Sequence, residues 1–161
     1  MIKVLFVCLG NICRSPLAEG VFAHLVAQDR LAAQIGCDSA GTGDWHAGDL
    51  PDHRARSTAS AHGLALTHRA RQVKDSDFTD FDYIFAMDRY NLQTLVQLAK
   101  LAGGPPQAHL ALLREFDPLP DSLEVEDPYY GDQQDFENCY QTVARCASEI
   151  LVHLKIKHEL G

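Results

Sequence analysis

The stretch Lys3-Val-Leu-Phe-Val-Cys8-Leu-Gly-Asn-Ile-Cys13-Arg14-Ser15-Pro16 decides the fold of the N-terminal part of this chain. The run from Ile2 to Val7 is apolar apart from Lys3 and does not alternate, which is typical of a strand covered on both faces. Ser15 and Pro16 supply an N-cap and a first-turn proline, and they predict a helix to about residue 29. A strand, a short glycine-containing loop and a helix N-terminus in this order bind anions. Here the anion meets a thiol and a guanidinium together, which suggests covalent phosphoryl chemistry.

The rest of the chain alternates between predicted strands and predicted helices. Strands are predicted at 35–39, 83–87 and 109–113, helices at 52–62, 88–99 and 136–154, and a surface loop at 115–131. This alternation predicts an α/β fold, a three-layer doubly wound parallel sheet with helices on both faces, in one domain over residues 1–161. Cys8, Ser39 and Asp88 follow or end predicted strands, so the topology gathers them at one crevice.

Composition and charge limit the classes of protein to which the chain can belong. Its 161 residues are 46% hydrophobic and carry a net charge of −8, which argues against nucleic acid or an acidic membrane surface as partner. No apolar run approaches the roughly 18 residues of a membrane span, and the N-terminus lacks a signal-peptide layout. We therefore expect a cytoplasmic protein. Its five cysteines then indicate packing or reactivity, and none has metal-ligand spacing, so we expect no metal.

The charges are distributed unevenly along the chain. Residues 117–137 include eight acidic residues and no lysine or arginine, whereas residues 53–74 include four arginines and one lysine. If both segments flank one site, that site has an acidic rim and a basic rim.

The residues of the loop suit a cysteine nucleophile. A thiol is most reactive as the thiolate, and the loop amides, the helix N-terminus and Arg14 all favour that anion at Cys8. Ser15 can add a hydroxyl hydrogen bond to the sulfur. Arg14 suits phosphate better than lysine would, because its planar fork matches two phosphoryl oxygens. Gly10 allows close backbone approach, and Asn11 tolerates the left-handed conformation that turns amide groups inward.

Two motifs of the chain resemble those of a known family. The stretch from Cys8 to Pro16 resembles the signature of the low-molecular-weight protein tyrosine phosphatases, and Asp127-Pro128-Tyr129-Tyr130-Gly131 is similar to that family's other hallmark. Ser39-Ala-Gly-Thr42 and Met87-Asp88 also match in kind and order, so the resemblance extends over residues 2 to about 155. It implies a four-stranded parallel sheet in the order 2-1-3-4, and hydrolysis of phosphotyrosine without a metal or cofactor.

The resemblance also implies a role for each matching residue. Cys8 attacks phosphorus and forms a phosphocysteine, while Arg14 and the loop bind the phosphate oxygens. The loop residues are Leu9, Gly10, Asn11, Ile12, Cys13 and Ser15. Asp127 protonates the leaving phenolate and then activates the water that hydrolyses the intermediate. From the residues alone an acid is required, because phenolate is a poor leaving group, and Glu124, Glu126 and Asp132 stay open as alternatives.

The same resemblance assigns supporting roles around the loop. Asn11, Ser39 and His68 form a hydrogen-bond chain that holds the loop in shape. The alternative for His68 is a surface histidine beside Arg69.

The remaining assignments concern the rim and a second cysteine. By resemblance, Trp45, Tyr129 and Tyr130 form aromatic walls around the substrate ring. The two tyrosines alone could be ordinary exposed loop residues. The resemblance further implies that Cys13 is a redox partner, which forms a reversible disulfide with Cys8 and shields it from over-oxidation.

Three other functions fit the same loop. A thioredoxin-coupled arsenate reductase needs further cysteines to shuttle a disulfide, and residues 64–100 contain none. A protein-arginine phosphatase carries threonine where this chain has Ile12, and isoleucine leaves apolar contact for a tyrosyl ring. A phosphate-binding or redox-sensing module without turnover would have no need of Asp127.

The expected partners follow from the favoured function. We expect phosphotyrosine-containing proteins as substrates, and inorganic phosphate or vanadate-like oxyanions as inhibitors. We expect no nucleic acid and no membrane as partner. A monomer is the expected state, with a weak dimer left open.

Overall fold

A parallel sheet forms the centre of the molecule, whose computed structural model describes residues 1–119 and 121–161. Its four strands are β1 (Ile2–Cys8), β2 (Ile35–Gly41), β3 (Tyr83–Ala86) and β4 (His109–Leu112). They lie in the order β2-β1-β3-β4, and each neighbouring pair is parallel, which confirms the predicted fold class and strand order. Because β1 lies inside the sheet, Val4 to Cys8 are buried.

Helices cover both faces of this sheet. They are α1 (Arg14–Gln28), α2 (His53–Ala61), the single turn α3 (Asp77–Asp80), α4 (Arg89–Leu101) and α5 (Gln133–Lys157), and a 3-10 turn spans Leu113–Phe116. Phe6 of β1 packs with Phe22 of α1 and Phe136 of α5 in one buried cluster. Leu5 joins the cluster on the opposite face with Leu95 of α4. Truncation of Phe6 to alanine would cost about 3–5 kcal/mol of stability. Within the described residues, no helix combines the length and apolarity needed to span a membrane.

The carboxyl edge of the sheet holds the loop that connects β1 to α1. Gly41, the last residue of β2, lies so close to this loop that a Cβ atom would come within 2.7 Å of the Leu9 carbonyl oxygen. The same atom would lie 3.2 Å from the Asn11 nitrogen. Since both neighbours are backbone atoms, only glycine fits there without moving the loop. The close approach fixes the loop against the sheet.

The start of α1 differs from the prediction. The helix begins at Arg14 with Cys13 in the N-cap position, so the prediction of Ser15 as N-cap is wrong. Ser15 lies in the first turn instead, where its hydroxyl contacts the side chains of Cys8 and Asn11. Those contacts occupy the oxygen that would otherwise cap the helix.

Two other helix ends have favourable local geometry. The carboxylate of Asp88 caps α4 by accepting a hydrogen bond from the Asn91 N–H at 2.7 Å. Gly63 follows α2 in the left-handed conformation, with φ at 78°. The predictions omitted α3, because four residues show no periodicity.

The predicted loop at 115–131 is anchored through a buried carboxylate. Asp117, whose side chain is fully buried, accepts hydrogen bonds from Arg114 at 2.9 Å and from Arg145 at 3.1 Å. Arg114 also donates to the Glu124 carbonyl at 2.9 Å. These anchors hold the segment that leads to residue 127. Pro120, which belongs to this predicted loop, lies outside the described residues.

Candidate active site

The loop after β1 forms one end of a cavity of about 210 Å³. The residues that line it are Cys8, Leu9, Gly10, Ile12, Cys13, Arg14, Trp45, His46, Asp127, Tyr129 and Tyr130. The structure therefore brings together side chains from the loop, from the 41–52 connection and from the 115–131 loop. His46 is the one lining residue that the sequence did not predict.

Hydrogen bonds to the loop's carbonyl groups determine which way its peptide units face. Three of its carbonyl oxygens accept from amides outside the loop: Cys8 from Thr42 at 2.9 Å, Leu9 from Gly43 at 2.9 Å, and Ile12 from Asp52 at 2.8 Å. Asn11 has the left-handed conformation that was expected, with φ at 58°. Outward carbonyls and a left-handed residue turn the intervening amides toward the cavity, which makes a nest for an anion.

The side chain of Asn11 is fully buried and uses all of its hydrogen-bonding capacity. Its amide nitrogen donates to Ser15 Oγ at 2.8 Å and to Ser39 Oγ at 3.0 Å. Its oxygen accepts from the Arg71 backbone N–H at 3.0 Å and is 2.9 Å from His68 Nε2. The structure thus brings Asn11, Ser39 and His68 together as one network, which holds Asn11 in a conformation that few residues adopt.

The Cys8 sulfur lies 3.0 Å from the Ser15 hydroxyl oxygen. Because Asn11 donates to that same oxygen, the hydroxyl hydrogen is free to point at the sulfur. Cys8 itself is almost fully buried at the floor of the cavity. A negatively charged sulfur would therefore receive a directed hydrogen bond.

Arg14 lies beside Cys8 and is held from behind. Its Nη1 donates to Asp88 Oδ2 at 2.8 Å and to the Val125 carbonyl at 3.0 Å. Burial of this side chain opposes its charged form, but the Cys8 sulfur and the carboxylate of Asp88 raise the pKa of Arg14 above its ordinary value. Its Nη2 lies 3.6 Å from Asp127 Oδ2. The guanidinium of Arg14 is therefore fixed within the cavity, close to the carboxylate of Asp127.

Asp127 is the acid that reaches the cavity, among the four that the sequence left open. Glu124 accepts a hydrogen bond from the Arg89 N–H at 2.9 Å, and Asp132 caps α5. Glu126 lines a neighbouring cleft of about 590 Å³ rather than this cavity. Asp127 is 42% exposed, and its Oδ1 accepts a hydrogen bond from the Tyr129 N–H at 3.2 Å.

An ionic cluster that the sequence did not predict lies behind His68. His68 Nδ1 is 3.3 Å from Glu19 Oε1 and 3.2 Å from Asp38 Oδ1, and Ser39 Oγ donates to Glu19 at 2.6 Å. Burial works against the imidazolium, but the hydrogen bond to Asp38 raises the pKa of His68 above its ordinary value. Burial also raises the pKa of Glu19.

Glu19, Asp38 and His68 have ligand atoms within 4.8 Å of one another, as a metal site would need. In this structure Arg71 Nε donates to Asp38 at 3.1 Å, so a cation already balances the carboxylates. The imidazole of His68 thus lies between the carboxyl groups of Glu19 and Asp38. Neither Glu19 in a helix nor Asp38 in a strand belongs to a motif, which is why sequence reasoning missed them.

The rim of the cavity is aromatic. Trp45 is 69% exposed, and its ring lies so close over Gly43 that a Cβ atom there would overlap it. Tyr129 and Tyr130 meet edge to face with ring centroids 4.9 Å apart, and Tyr130 is 95% exposed. The His46 ring packs against Gly10, where a Cβ atom would lie 3.2 Å from it. These rings form walls that suit a flat, apolar substituent on a bound anion.

Cys13 lines the same cavity as Cys8, and all five cysteines of the chain are free thiols. Burial first, and then the Asp52 carboxylate, raises the pKa of Cys13 well above its usual range. Cys13 is therefore a protonated thiol at neutral pH.

Comparison with known sequences points to one family. A family model described as low molecular weight phosphotyrosine protein phosphatase matches residues 3–160. The low molecular weight phosphotyrosine protein phosphatase of Homo sapiens is 44% identical over 149 residues, which make up 92% of this chain and 93% of that protein.

Solved structures of the same fold carry two kinds of name. A protein tyrosine phosphatase from Entamoeba histolytica has a TM-score of 0.89 and 34% identity, and the match covers 99% of both chains. A Drosophila arginine phosphatase has a TM-score of 0.91 and 37% identity, over 96% of this chain and 98% of that chain. Since both names occur on one fold, the residues of the cavity have to distinguish the substrates.

Proposed function

Because this chain belongs to the low molecular weight phosphotyrosine protein phosphatase family, we propose that Cys8, Arg14 and Asp127 carry out its hydrolysis of protein phosphotyrosine. One observation supports this assignment above the others: the three side chains line a single cavity, although Asp127 is distant from the loop in sequence. The substrate phosphate binds within the loop, and its tyrosyl ring lies between the aromatic walls.

In the first step, the thiolate of Cys8 attacks phosphorus opposite the tyrosyl oxygen. The new S–P bond forms as the P–O bond breaks, and Arg14 and the inward amides stabilise the charge on the equatorial oxygens. Asp127 transfers its proton to the departing phenolate oxygen. The products of this step are a phosphocysteine and tyrosine.

In the second step, water attacks the phosphocysteine. The carboxylate of Asp127 accepts a proton from that water as the O–P bond forms and the S–P bond breaks. Inorganic phosphate leaves, and Cys8 returns as the thiolate. Asp127 again carries the proton that the next first step requires, so the cycle closes without another reactant.

The apolar wall favours an aryl group over a guanidino group. Ile12 is 9% exposed and lines the cavity together with Trp45 and Tyr129, so a tyrosyl ring buries apolar surface there. Phosphoarginine is the second candidate substrate, because one structural neighbour is named an arginine phosphatase. We expect a clear preference for phosphotyrosine over phosphoarginine, and no reduction of arsenate. Ile12→Thr should narrow that preference, and a parent enzyme that prefers phosphoarginine would overturn the substrate assignment.

The catalytic assignment is tested by hydrolysis of an aryl phosphate in the presence of a chelator. Cys8→Ser should abolish turnover, and Asp127→Asn should lower kcat/KM for phenyl phosphate by about 10²–10⁴-fold. Glu126→Gln, which removes the neighbouring acid, should leave it within about twofold. Full turnover by Cys8→Ser would contradict the whole mechanism, and a larger loss in Glu126→Gln than in Asp127→Asn would reassign the acid.

We further propose that Cys13 protects Cys8 from irreversible oxidation. Peroxide converts the Cys8 thiolate to a sulfenic acid, and the Cys13 thiol displaces water from it to form a disulfide. The support is that both side chains line one cavity. After peroxide treatment, a thiol should restore the parent's activity but not that of Cys13→Ser. Equal recovery of the two proteins would contradict the proposal.

The remaining proposals concern partners and location. Inorganic phosphate and vanadate bind in the loop as competitive inhibitors, because they present the same oxygens as the substrate. The protein acts in the cytoplasm as a monomer. Light scattering at micromolar concentration tests the monomer, and a stable dimer would contradict it.

A further inference from the structure

We infer that Arg54 is a positioning residue that holds the general acid at its working distance from the nucleophile. The inference rests on the proposed roles of Cys8 and Asp127. Arg54 lies in the first turn of α2, outside both sequence motifs, and its guanidinium reaches the 115–131 loop.

One side of Arg54 holds the backbone that follows Asp127. Its Nη2 donates to the Tyr129 carbonyl at 3.0 Å, and its Nη1 donates to the Gly131 carbonyl at 3.3 Å. The guanidinium also lies over the Phe136 ring, 4.6 Å from its centroid, which is a cation–π contact. Tyr129 in turn donates its N–H to Asp127 Oδ1 at 3.2 Å. One residue, Tyr129, thus connects Arg54 to the carboxylate of the acid.

The other side of Arg54 is tied to the phosphate-binding loop. Its Nε and Nη2 each donate to a different oxygen of Asp52, both at 3.0 Å. Asp52 donates its own N–H to the Ile12 carbonyl at 2.8 Å. The hydrogen bonds from Arg54 lower the pKa of Asp52, so the pair is ionised at neutral pH. A continuous path therefore runs from the loop through Asp52, Arg54 and Tyr129 to the acid.

Arg54 complements a second anchor on the opposite side of the acid. Arg14 donates to the Val125 carbonyl at 3.0 Å and so fixes the chain before Asp127. Arg54 fixes the chain after it. With both anchors in place, the backbone on either side of Asp127 is held. Without Arg54 the second half of this turn is held much less firmly, and a proton donor displaced by about 1 Å loses much of its effect.

Loss of Arg54 should leave the fold intact, because other contacts join α2 to α5. Gln133 Nε2 donates to Thr58 Oγ1 at 2.6 Å, and His62 lies 2.7 Å from the Glu137 carboxylate. Neither contact involves the Arg54 side chain. The variant can therefore be assayed as a folded protein, and its urea midpoint checks this.

The distinguishing measurement is the dependence of kcat/KM on the leaving group. This parameter reports the steps up to transfer of the phosphoryl group to Cys8, and a poor leaving group needs the acid more than a good one. Arg54→Ala should lower kcat/KM for phenyl phosphate by about 10–100-fold. For dinitrophenyl phosphate, whose phenolate leaves without a proton, the loss should stay within about threefold.

Two variants serve as controls for this comparison. Arg56→Ala removes a guanidinium from the same helix, and the Nε of this residue donates to the Pro51 carbonyl at 3.0 Å. This variant should keep the parent's kcat/KM for both substrates. Arg54→Lys should restore part of the phenyl phosphate rate, since lysine keeps the charge but not the fork.

The outcomes separate this inference from the proposed function. If Asp127→Asn steepens the dependence of kcat/KM on the leaving group and Arg54→Ala does not, the role of Asp127 as the acid is supported and the role of Arg54 is refuted. An equal loss for both substrates in Arg54→Ala refutes it too, because that is the result of a merely structural role. If Asp127→Asn itself leaves the leaving-group dependence unchanged, the proposed role of Asp127 is refuted, whatever the result for Arg54→Ala.

Discussion

Replacement of Asn11 by alanine tests how much the network under the loop contributes to stability. The substitution leaves two donors without their acceptor, the Arg71 backbone N–H and His68 Nε2. An unsatisfied buried donor costs about 1–3 kcal/mol, and the lower end applies because both residues are partly exposed. Ser15 keeps its contact with Cys8, so its hydroxyl stays paired.

Backbone strain adds to this loss. Asn11 has φ at 58°, and alanine in that conformation costs about 1 kcal/mol more than asparagine. The free energy of unfolding should therefore fall by about 3 kcal/mol in Asn11→Ala, the sum of two orphaned donors and the strain. Asn11→Gly loses the same hydrogen bonds but avoids the strain, so it should lose about 1 kcal/mol less.

Equilibrium unfolding in urea measures both variants against the parent. Asn11→Ala should lose more stability than Asn11→Gly. The affinity for phosphate should fall in both variants, because the loop amides are no longer held inward. A loss below about 1 kcal/mol in Asn11→Ala would refute the reasoning, since it would mean that the network contributes little.

Three further predictions follow from the same geometry. His68→Gln should lower stability most below about pH 6.5, and progressively less as pH rises through the raised pKa of His68 in the folded protein. The reason is that Asp38 and Glu19 stabilise the His68 ring only while it carries a proton. A loss in urea midpoint that does not depend on pH would contradict this. Gly41→Ala should lower stability by about 2 kcal/mol through its contact with backbone, whereas Gly36→Ala in the same strand meets only the flexible end of Met1 and should be tolerated, as thermal unfolding can show. Phosphotyrosine peptides with acidic residues toward Glu126 should have kcat/KM lower by about 2–5-fold at low salt, and equal values across a charge series would dismiss the effect.

The sequence predicted the strand–loop–helix unit well because the signals for it are local. An apolar run, a glycine and a serine–proline pair determine this unit without help from the rest of the chain. The N-cap was wrong for a non-local reason. Ser15 is recruited by Cys8 and Asn11, and no helix-capping rule anticipates that a hydroxyl has a more favourable partner elsewhere.

Residues that support the site from a distance could not be predicted. Asp88 was expected only where a strand ends and a helix begins, yet it also holds Arg14. Arg71 reaches Asn11 from a connection without a motif. Such contacts depend on which elements pack together. The distribution of charge along the sequence predicted that Arg54 belongs to a basic rim of the site. In the structure it binds Asp52 and backbone carbonyl groups instead. The choice among four acids likewise required the three-dimensional position of Asp127.

The most direct test of the central claim is to detect the covalent intermediate. Acid quenching during turnover of p-nitrophenyl phosphate, followed by mass spectrometry of the peptide from Val4 to Arg14, should show one added phosphoryl group. Fragmentation should place that group on Cys8, and Cys13→Ser should retain it while Cys8→Ser loses it. Steady turnover without a phosphoryl group on Cys8, or with the group on Cys13, would contradict the account.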